Sequence, residues 1–277
     1  MRGVAPVVRL RISHLRETRE HGRSRRERQP GRQWTLRAET QYIAGMNTPP
    51  HTPLPWETID TVLLDLDGTL LDLRFDNHFF LEHLPRRLAE HWDLPDDAAR
   101  TELRRRYQRV AGTLDWYCLD YWQRELELDL VALKHEIGHL VQWRPHAPVF
   151  LDALGSAGKR RVLATNAHPG SMGFKFDRLP LGHRFEARYT SHDFGAPKED
   201  AAFWDRLHER EGFHPERTLF VDDNPNVLAA ARDWGIGYLM GIRLPDSSAP
   251  PNALEGFPAV DHLDALLPNA RERPVSG

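Results

Sequence analysis

The chain has 277 residues, 40% hydrophobic, 9% aromatic and 28% charged, enough apolar material for a sizeable core and evidence against a disordered or fibrous chain. No apolar run approaches the roughly 18 residues that span a bilayer, and the formal net charge is only −3. One cysteine, Cys118, can form neither an internal disulfide nor a multi-thiolate metal site, which fits a reducing compartment such as the cytoplasm and leaves oxygen or histidine ligands for any metal.

The near-neutral charge hides an asymmetry. Residues 1–45 carry eleven arginines and four glutamates, +7, so −10 falls on the rest of the chain. A basic arm of this kind suits nucleic-acid or membrane contact. Its apolar stretch Val4–Ile12 is interrupted by Arg9 and Arg11, which excludes a secretory signal. Met46 opens a proline-rich segment running to Pro55, as a natural start or a linker would, and Met46 is expected to be the true initiator; a disordered basic tail is the alternative. Arm and linker together are expected to occupy residues 1–58.

Order is expected from Ile59. Thr61-Val-Leu-Leu64 reads as a buried strand, and four further runs follow: Arg161–Thr165, Phe185–Thr190, Thr218–Val221 and Ile236–Met240. Helical patterns lie between them at Ala147–Ala157, Met172–Leu179, Ala201–Glu211 and Asn226–Trp234. This alternation predicts an α/β fold, a parallel sheet with helices on both faces that binds ligands at the carboxyl ends of its strands. Between the first two strands, residues 76–146 show helical spacing (Phe79, Phe80, Leu84, Leu88; Leu103, Tyr107, Val110, Leu114) and the aromatics Trp116, Tyr117, Tyr121 and Trp122. An all-helical insertion over that edge is expected. The core would then be 59–75 plus 147–268, with a tail at 269–277.

Asp65 and Asp67 follow the first strand two residues apart, so they share a face at the ligand edge. Two close carboxylates need a cation or a shared proton. Gly68 permits a tight turn and the Thr69 hydroxyl can hydrogen-bond the loop. Asp222 and Asp223 follow the fourth strand; if it neighbours the first, four carboxylates converge in a set that suits Mg2+. Alone, Asp222-Asp223-Asn-Pro225 reads equally well as a helix-capping turn. Thr165 and Asn166 end the second strand and could hold anionic oxygens. Lys198 stands out because the chain has four lysines against thirty-three arginines, and a compact ammonium can bridge a carboxylate and a phosphate oxygen.

Together these elements resemble the haloacid-dehalogenase-like hydrolases, with Asp65-x-Asp67-Gly68-Thr69 as their first motif, Thr165 the second, Lys198 the third and Asp222-Asp223 the fourth. The resemblance implies a sheet ordered 5-4-1-2-3 and a cap of the C1 type. It also implies Asp65 as nucleophile, Asp67 as general acid and base, and Gly68, Thr165, Asn166 and Lys198 as phosphate-binding groups. Magnesium would be held by Asp65, the Asp67 backbone carbonyl, Asp222 and Asp223. Asp65 to Asn77, Leu114 to Trp122, Thr165 to Pro169, Phe194 to Asp200 and Arg217 to Asp223 look like the bacterial GMP/IMP nucleotidases of that superfamily. That likeness implies a purine nucleoside monophosphate as substrate and no membrane partner. The rival readings are a phosphatase for a sugar phosphate or pyrimidine nucleotide, a phosphosugar mutase, and a nucleic-acid-binding role for the arm. For the four cap aromatics, packing in the cap core is favoured over stacking on a base.

Overall fold

The computed structural model of the chain describes residues 53–268; the arginine-rich arm, Met46 and the tail lie outside the described residues. Order begins earlier than Ile59. A turn at residues 56–58 docks Trp56 edge-on to Phe150, 6.5 Å between ring centroids, and the Trp56 carbonyl accepts from Lys159 Nζ at 2.5 Å.

Six parallel strands form one sheet in the order β3-β2-β1-β4-β5-β6. These are β1 (Thr61–Leu64), β2 (Arg160–Thr165), β3 (Ala187–Thr190), β4 (Thr218–Asp222), β5 (Tyr238–Ile242) and β6 (Ala259–Val260). The expected 5-4-1-2-3 order holds for the first five. The two-residue β6 was missed because it is too short for any period to show.

Alternation along each central strand sorts side chains onto two faces. Val62, Leu64, Leu163, Leu219 and Val221 face α7 (Ala147–Ser156) and its Phe150, Leu151 and Leu154. Leu63, Val162, Ala164 and Phe220 face Phe203, Trp204 and Leu207 of α10 (Ala201–Glu211) and Val227, Leu228 and Ala231 of α11 (Pro225–Trp234). The remaining core helices are α8 (Pro169–Phe176) and the single turn α9 (Ser191–Phe194).

Between β1 and β2 come α1 (Arg74–His78), a π-helical turn Phe79–His83, α2 (Leu84–Trp92), α3 (Asp96–Val110), α4 (Leu114–Tyr117), α5 (Leu119–Leu126) and α6 (Leu130–Glu136). Their apolar stripes, including Leu84, Leu88, Leu103, Tyr107, Trp122, Leu126 and Leu130, continue the core of the α7 face. No helix among the described residues is long and apolar enough to cross a membrane.

Two features aim the loop after β1. Gly68 adopts φ +89°, and a Cβ there would stand 2.6 Å from the Asp223 carboxylate, so the turn requires glycine on both counts. Arg144, 2% exposed, donates to the carbonyls of Thr69 (3.3 Å), Leu244 (2.7 Å) and Asp261 (2.7 Å), tying that loop to the chain beyond β5. Thr69 departs from expectation: it is fully buried, and its hydroxyl finds no hydrogen-bond partner among the described residues, while its carbonyl serves Arg144.

Phe220 lies in the middle of β4, edge-on to Trp204 at 4.9 Å. Phe220→Ala is expected to lower unfolding stability by about 3–5 kcal/mol, measured as a shift in urea midpoint at constant slope.

Candidate active site

The strand register builds the site. Leu64 pairs with Leu163 of β2 and with Val221 of β4, so Asp65 and Asp222, one residue further on, leave the sheet side by side. They flank the point where the strand order reverses, the usual ligand crevice of a parallel sheet. Lys198 reaches between them, its Nζ 2.5 Å from Asp65 Oδ1 and 2.7 Å from Asp222 Oδ2. All three side chains are buried. Desolvation opposes the ammonium's charge, but Asp222 and Asp65 outweigh it and raise the Lys198 pKa. Burial raises Asp65 and Asp222 to about 6, against the lowering pull of Lys198.

The acidic residues Asp65, Asp222 and Asp223 offer carboxylate oxygens within 4.8 Å of one another, all on buried residues. Carboxylate oxygens gathered this closely on buried residues are the hard ligands that a divalent cation takes. The donor set therefore fits a divalent metal.

Asp67 has a lysine of its own. Lys175 of α8, 1% exposed, places Nζ 2.6 Å from Asp67 Oδ1 and 2.7 Å from Asp76 Oδ2. Lys134 of α6, equally buried, donates to Asp76 Oδ1 at 3.0 Å and lies 4.4 Å from the centroid of Phe79. The result is a chain of alternating charge, Asp67–Lys175–Asp76–Lys134. Burial raises Asp67 to about 6 despite Lys175. Burial would also raise Asp76, but Lys175 and Lys134 together bring it down to about 2.

Thr165 is buried at the end of β2; its Oγ1 accepts from the Ala167 N–H at 3.1 Å, which leaves the hydroxyl proton to donate. The Asn166 amide organises the next loop. Its Oδ1 accepts from the Lys198 backbone N–H at 2.9 Å, and its Nδ2 donates to Glu199 at 3.0 Å. Asn224, within the expected capping turn, caps α11, its side chain accepting from the Asn226 N–H at 3.0 Å. The capping turn and the acidic pair thus coexist in one segment.

A cavity of about 190 Å³ opens over these groups. Asp65, Asp67, Thr165, Asn166, Lys198, Asp222 and Asp223 form its floor; Phe80, Tyr107, Trp116, Tyr117 and Trp122 contribute from the helical segment. Gly68 is absent from its lining and spends its N–H on the Leu71 carbonyl at 2.8 Å, so its place here is the turn rather than the cavity wall. Of the four aromatics singled out in sequence, Trp122 is core at 1% exposure, with Tyr121 packed edge-on against it. Tyr117 turns its hydroxyl to Glu199 Oε1 at 2.7 Å.

Sequence reasoning missed Lys175, Asp76, Lys134 and Glu199. The scarcity of lysine that singled out Lys198 applies equally to Lys175 and Lys134, and also to Lys159, which binds the Trp56 carbonyl instead.

The sequence profile of the haloacid dehalogenase-like hydrolases matches residues 59–235. Over 219 residues the chain is 39% identical to the GMP/IMP nucleotidase YrfG of Escherichia coli (strain K12), covering 79% of this chain and 99% of that protein. A phosphoglycolate phosphatase of Pseudomonas putida is 26% identical over 232 residues, covering 78% of this chain and 81% of its own. The crystal structure of a HAD phosphatase from Thermococcus onnurineus matches with a TM-score of 0.62 at 20% identity, covering 75% of this chain and 96% of that one, a likeness of fold.

Without metal, the carboxyls of Asp65, Asp67 and Asp222 take up protons more readily folded than unfolded, so their contribution to stability is present below about pH 4 and lost as pH rises through about 6. Asp76 acts in the opposite sense, its contribution being lost only as pH falls from about 4 through 2. In chemical denaturation of EDTA-treated protein, Asp222→Asn is expected to flatten the decline in stability between pH 4 and about 6 relative to the unsubstituted chain. An unchanged slope would count against the charge assignment.

Proposed function

The chain belongs to the haloacid dehalogenase-like hydrolase family, and on that premise we propose that it is a magnesium-dependent phosphomonoesterase that dephosphorylates the purine 5'-mononucleotides GMP and IMP. The observation that carries the phosphoryl-transfer reading is the buried Asp65–Lys198–Asp222 triplet on the cavity floor, with the separately held Asp67 beside it. The purine reading rests on the similarity to the GMP/IMP nucleotidase across nearly its whole length. Residues 76–146 act as the cap that encloses the nucleoside, their aromatics forming an apolar wall beside the phosphate floor.

Asp65 attacks phosphorus with the oxygen that Lys198 does not hold. The new bond to Asp65 forms as the bond to the ribose oxygen breaks, and Asp67 delivers its proton to that departing oxygen. Burial, which lifts the Asp67 carboxyl to about 6, keeps part of the population protonated for this task near neutral pH. Water then attacks the aspartyl-phosphate and yields its proton to Asp67, and Asp65 departs as a carboxylate.

Lys198 and the Thr165 hydroxyl donate to the phosphoryl oxygens throughout. Bound magnesium, held by Asp65, Asp222, Asp223 and the Asp67 backbone carbonyl, would offset charge on the transferred group. Asp67 keeps its carboxyl for the proton because Lys175, not the metal cluster, is its side-chain partner.

The similarity to a phosphoglycolate phosphatase motivates a second reading, a phosphatase for a smaller ester. A panel of GMP, IMP, AMP, UMP, phosphoglycolate and sugar phosphates with Mg2+ separates the two. GMP and IMP are expected to give the highest kcat/KM, whereas faster turnover of a sugar phosphate or phosphoglycolate would overturn the purine assignment. Asp65→Asn is expected to lower kcat by at least about a thousandfold, and near-normal turnover by that variant would remove Asp65 as nucleophile.

A further inference from the structure

Glu199 follows Lys198 directly, and its carboxylate gathers donors from three separate elements. Tyr117 of α4 donates to Oε1 at 2.7 Å, Asn166 after β2 to Oε2 at 3.0 Å, and Asn224 after β4 to Oε1 at 3.5 Å. Asn166 in turn accepts the Lys198 backbone N–H at 2.9 Å, and Trp204 Nε1 donates to the Lys198 carbonyl at 2.8 Å. The helical segment is thereby connected to the lysine that grips Asp65 by three consecutive hydrogen bonds, Tyr117–Glu199, Glu199–Asn166 and Asn166–Lys198 backbone N–H.

We propose that Tyr117 is a positioning residue: its hydroxyl latches the helical segment to Glu199 and thereby sets the loop that aims Lys198 at Asp65 and the phosphoryl group. This rests on the phosphomonoesterase reading above. The chemistry favours a latch over base stacking. A hydroxyl on a carboxylate in a partly desolvated site makes a charge-assisted hydrogen bond, roughly twice as strong as a neutral one. Among the described residues no lysine or arginine bonds to Glu199, so loss of the Tyr117 donor leaves Oε1 with the 3.5 Å bond from Asn224. The carboxylate must then find another donor, and any turn it makes disturbs Asn166 and, through it, Lys198.

The cavity supports a moving partner. Its volume of about 190 Å³ is below the roughly 300–1,000 Å³ common for small-molecule sites. Tyr117–Glu199 joins the helical segment to the loop beside the floor, so it is a bond that any parting of the two would break. Closure over substrate remakes it and brings the Lys198 loop to order at the moment the phosphoryl group is in place.

Two variants test the latch in the full chain. Tyr117→Phe keeps the ring and deletes the hydroxyl. Glu199→Gln keeps the Tyr117 and Asn166 contacts and gives up only the 3.5 Å bond from Asn224, because its amide oxygen can accept from Asn166 while its NH2 donates to the tyrosine oxygen. With Mg2+ and GMP, or the ester that the unsubstituted protein turns over fastest, Tyr117→Phe is expected to lower kcat about tenfold or more with KM changed less than about threefold, and Glu199→Gln to stay within about threefold in kcat. Hydrogen exchange over residues 114–126 should quicken in Tyr117→Phe and not in Glu199→Gln.

A Tyr117→Phe kcat within about twofold of the unsubstituted protein would overturn the latch, as would a rise in KM with kcat unchanged, which would make the hydroxyl a substrate contact. Absence of GMP hydrolysis by the unsubstituted protein would instead count against the purine reading, and the latch is then judged on the preferred ester.

Discussion

Everything at the sheet edge turns on one ammonium placed between two buried carboxylates. Asp65 and Asp222 are adjacent because parallel register gives them no alternative, and at that separation both cannot ionise in a dry environment without a cation. Lys198 is the cation the chain itself supplies, and the core is organised to deliver it. Its backbone is clamped by Asn166 and Trp204, and its Nζ lies 5.6 Å from the centroid of Phe220. Packing on the α10–α11 face is thereby converted into the position of a charge. The close grouping of Asp65, Asp222 and Asp223 oxygens around the same spot is what suits it to a metal.

Two aspartates separated by one residue meet different surroundings because each is paired with a different lysine. Asp65 is held by Lys198, which arrives between β3 and α10; Asp67 is held by Lys175, which arrives on α8. Asp65 thus shares its counter-ion with the acidic cluster, while Asp67 shares its counter-ion with Asp76 and, through Asp76, is linked to Lys134 of the helical segment. Buried ion pairs rarely repay their desolvation in stability against an apolar alternative. Their presence in a row of four is better accounted for by the site they serve than by the fold, since the apolar cluster already joins the same elements.

The sequence made the centre of the sheet legible because β1, β2 and β4 contain short β-branched or leucine runs bounded by turn residues, and it made the floor of the site legible because the acidic pairs end such runs. It could not disclose contacts made by long side chains across distant segments. Lys134 and Asp76 are 58 residues apart and Lys175 and Asp67 are 108 apart, separations at which no periodicity operates. Nor could it distinguish the roles of neighbouring aromatics: Tyr117 and Trp122 stand five positions apart in one short stretch, yet one binds a core carboxylate and the other is buried beneath the cavity. Thr69 shows the opposite failure, a residue whose hydroxyl suits a turn but whose burial there leaves it unpartnered.

The use of lysine follows from the same geometry. Thirty-three arginines and four lysines share the chain, and three of those lysines are 1–2% exposed at this site. An ammonium is compact and offers three donors from one atom, so it can sit 2.5 and 2.7 Å from oxygens of two different aspartates at once. A guanidinium is a planar fork whose donors diverge; it suits one carboxylate face-on, as Arg243 does with Asp261 at 2.8 Å near the surface, or a fan of backbone carbonyls, as Arg144 does beneath the site. For a body carrying −10 from residue 46 onward, which repels a phosphate at long range, these three lysines concentrate positive charge where the ester must come to rest.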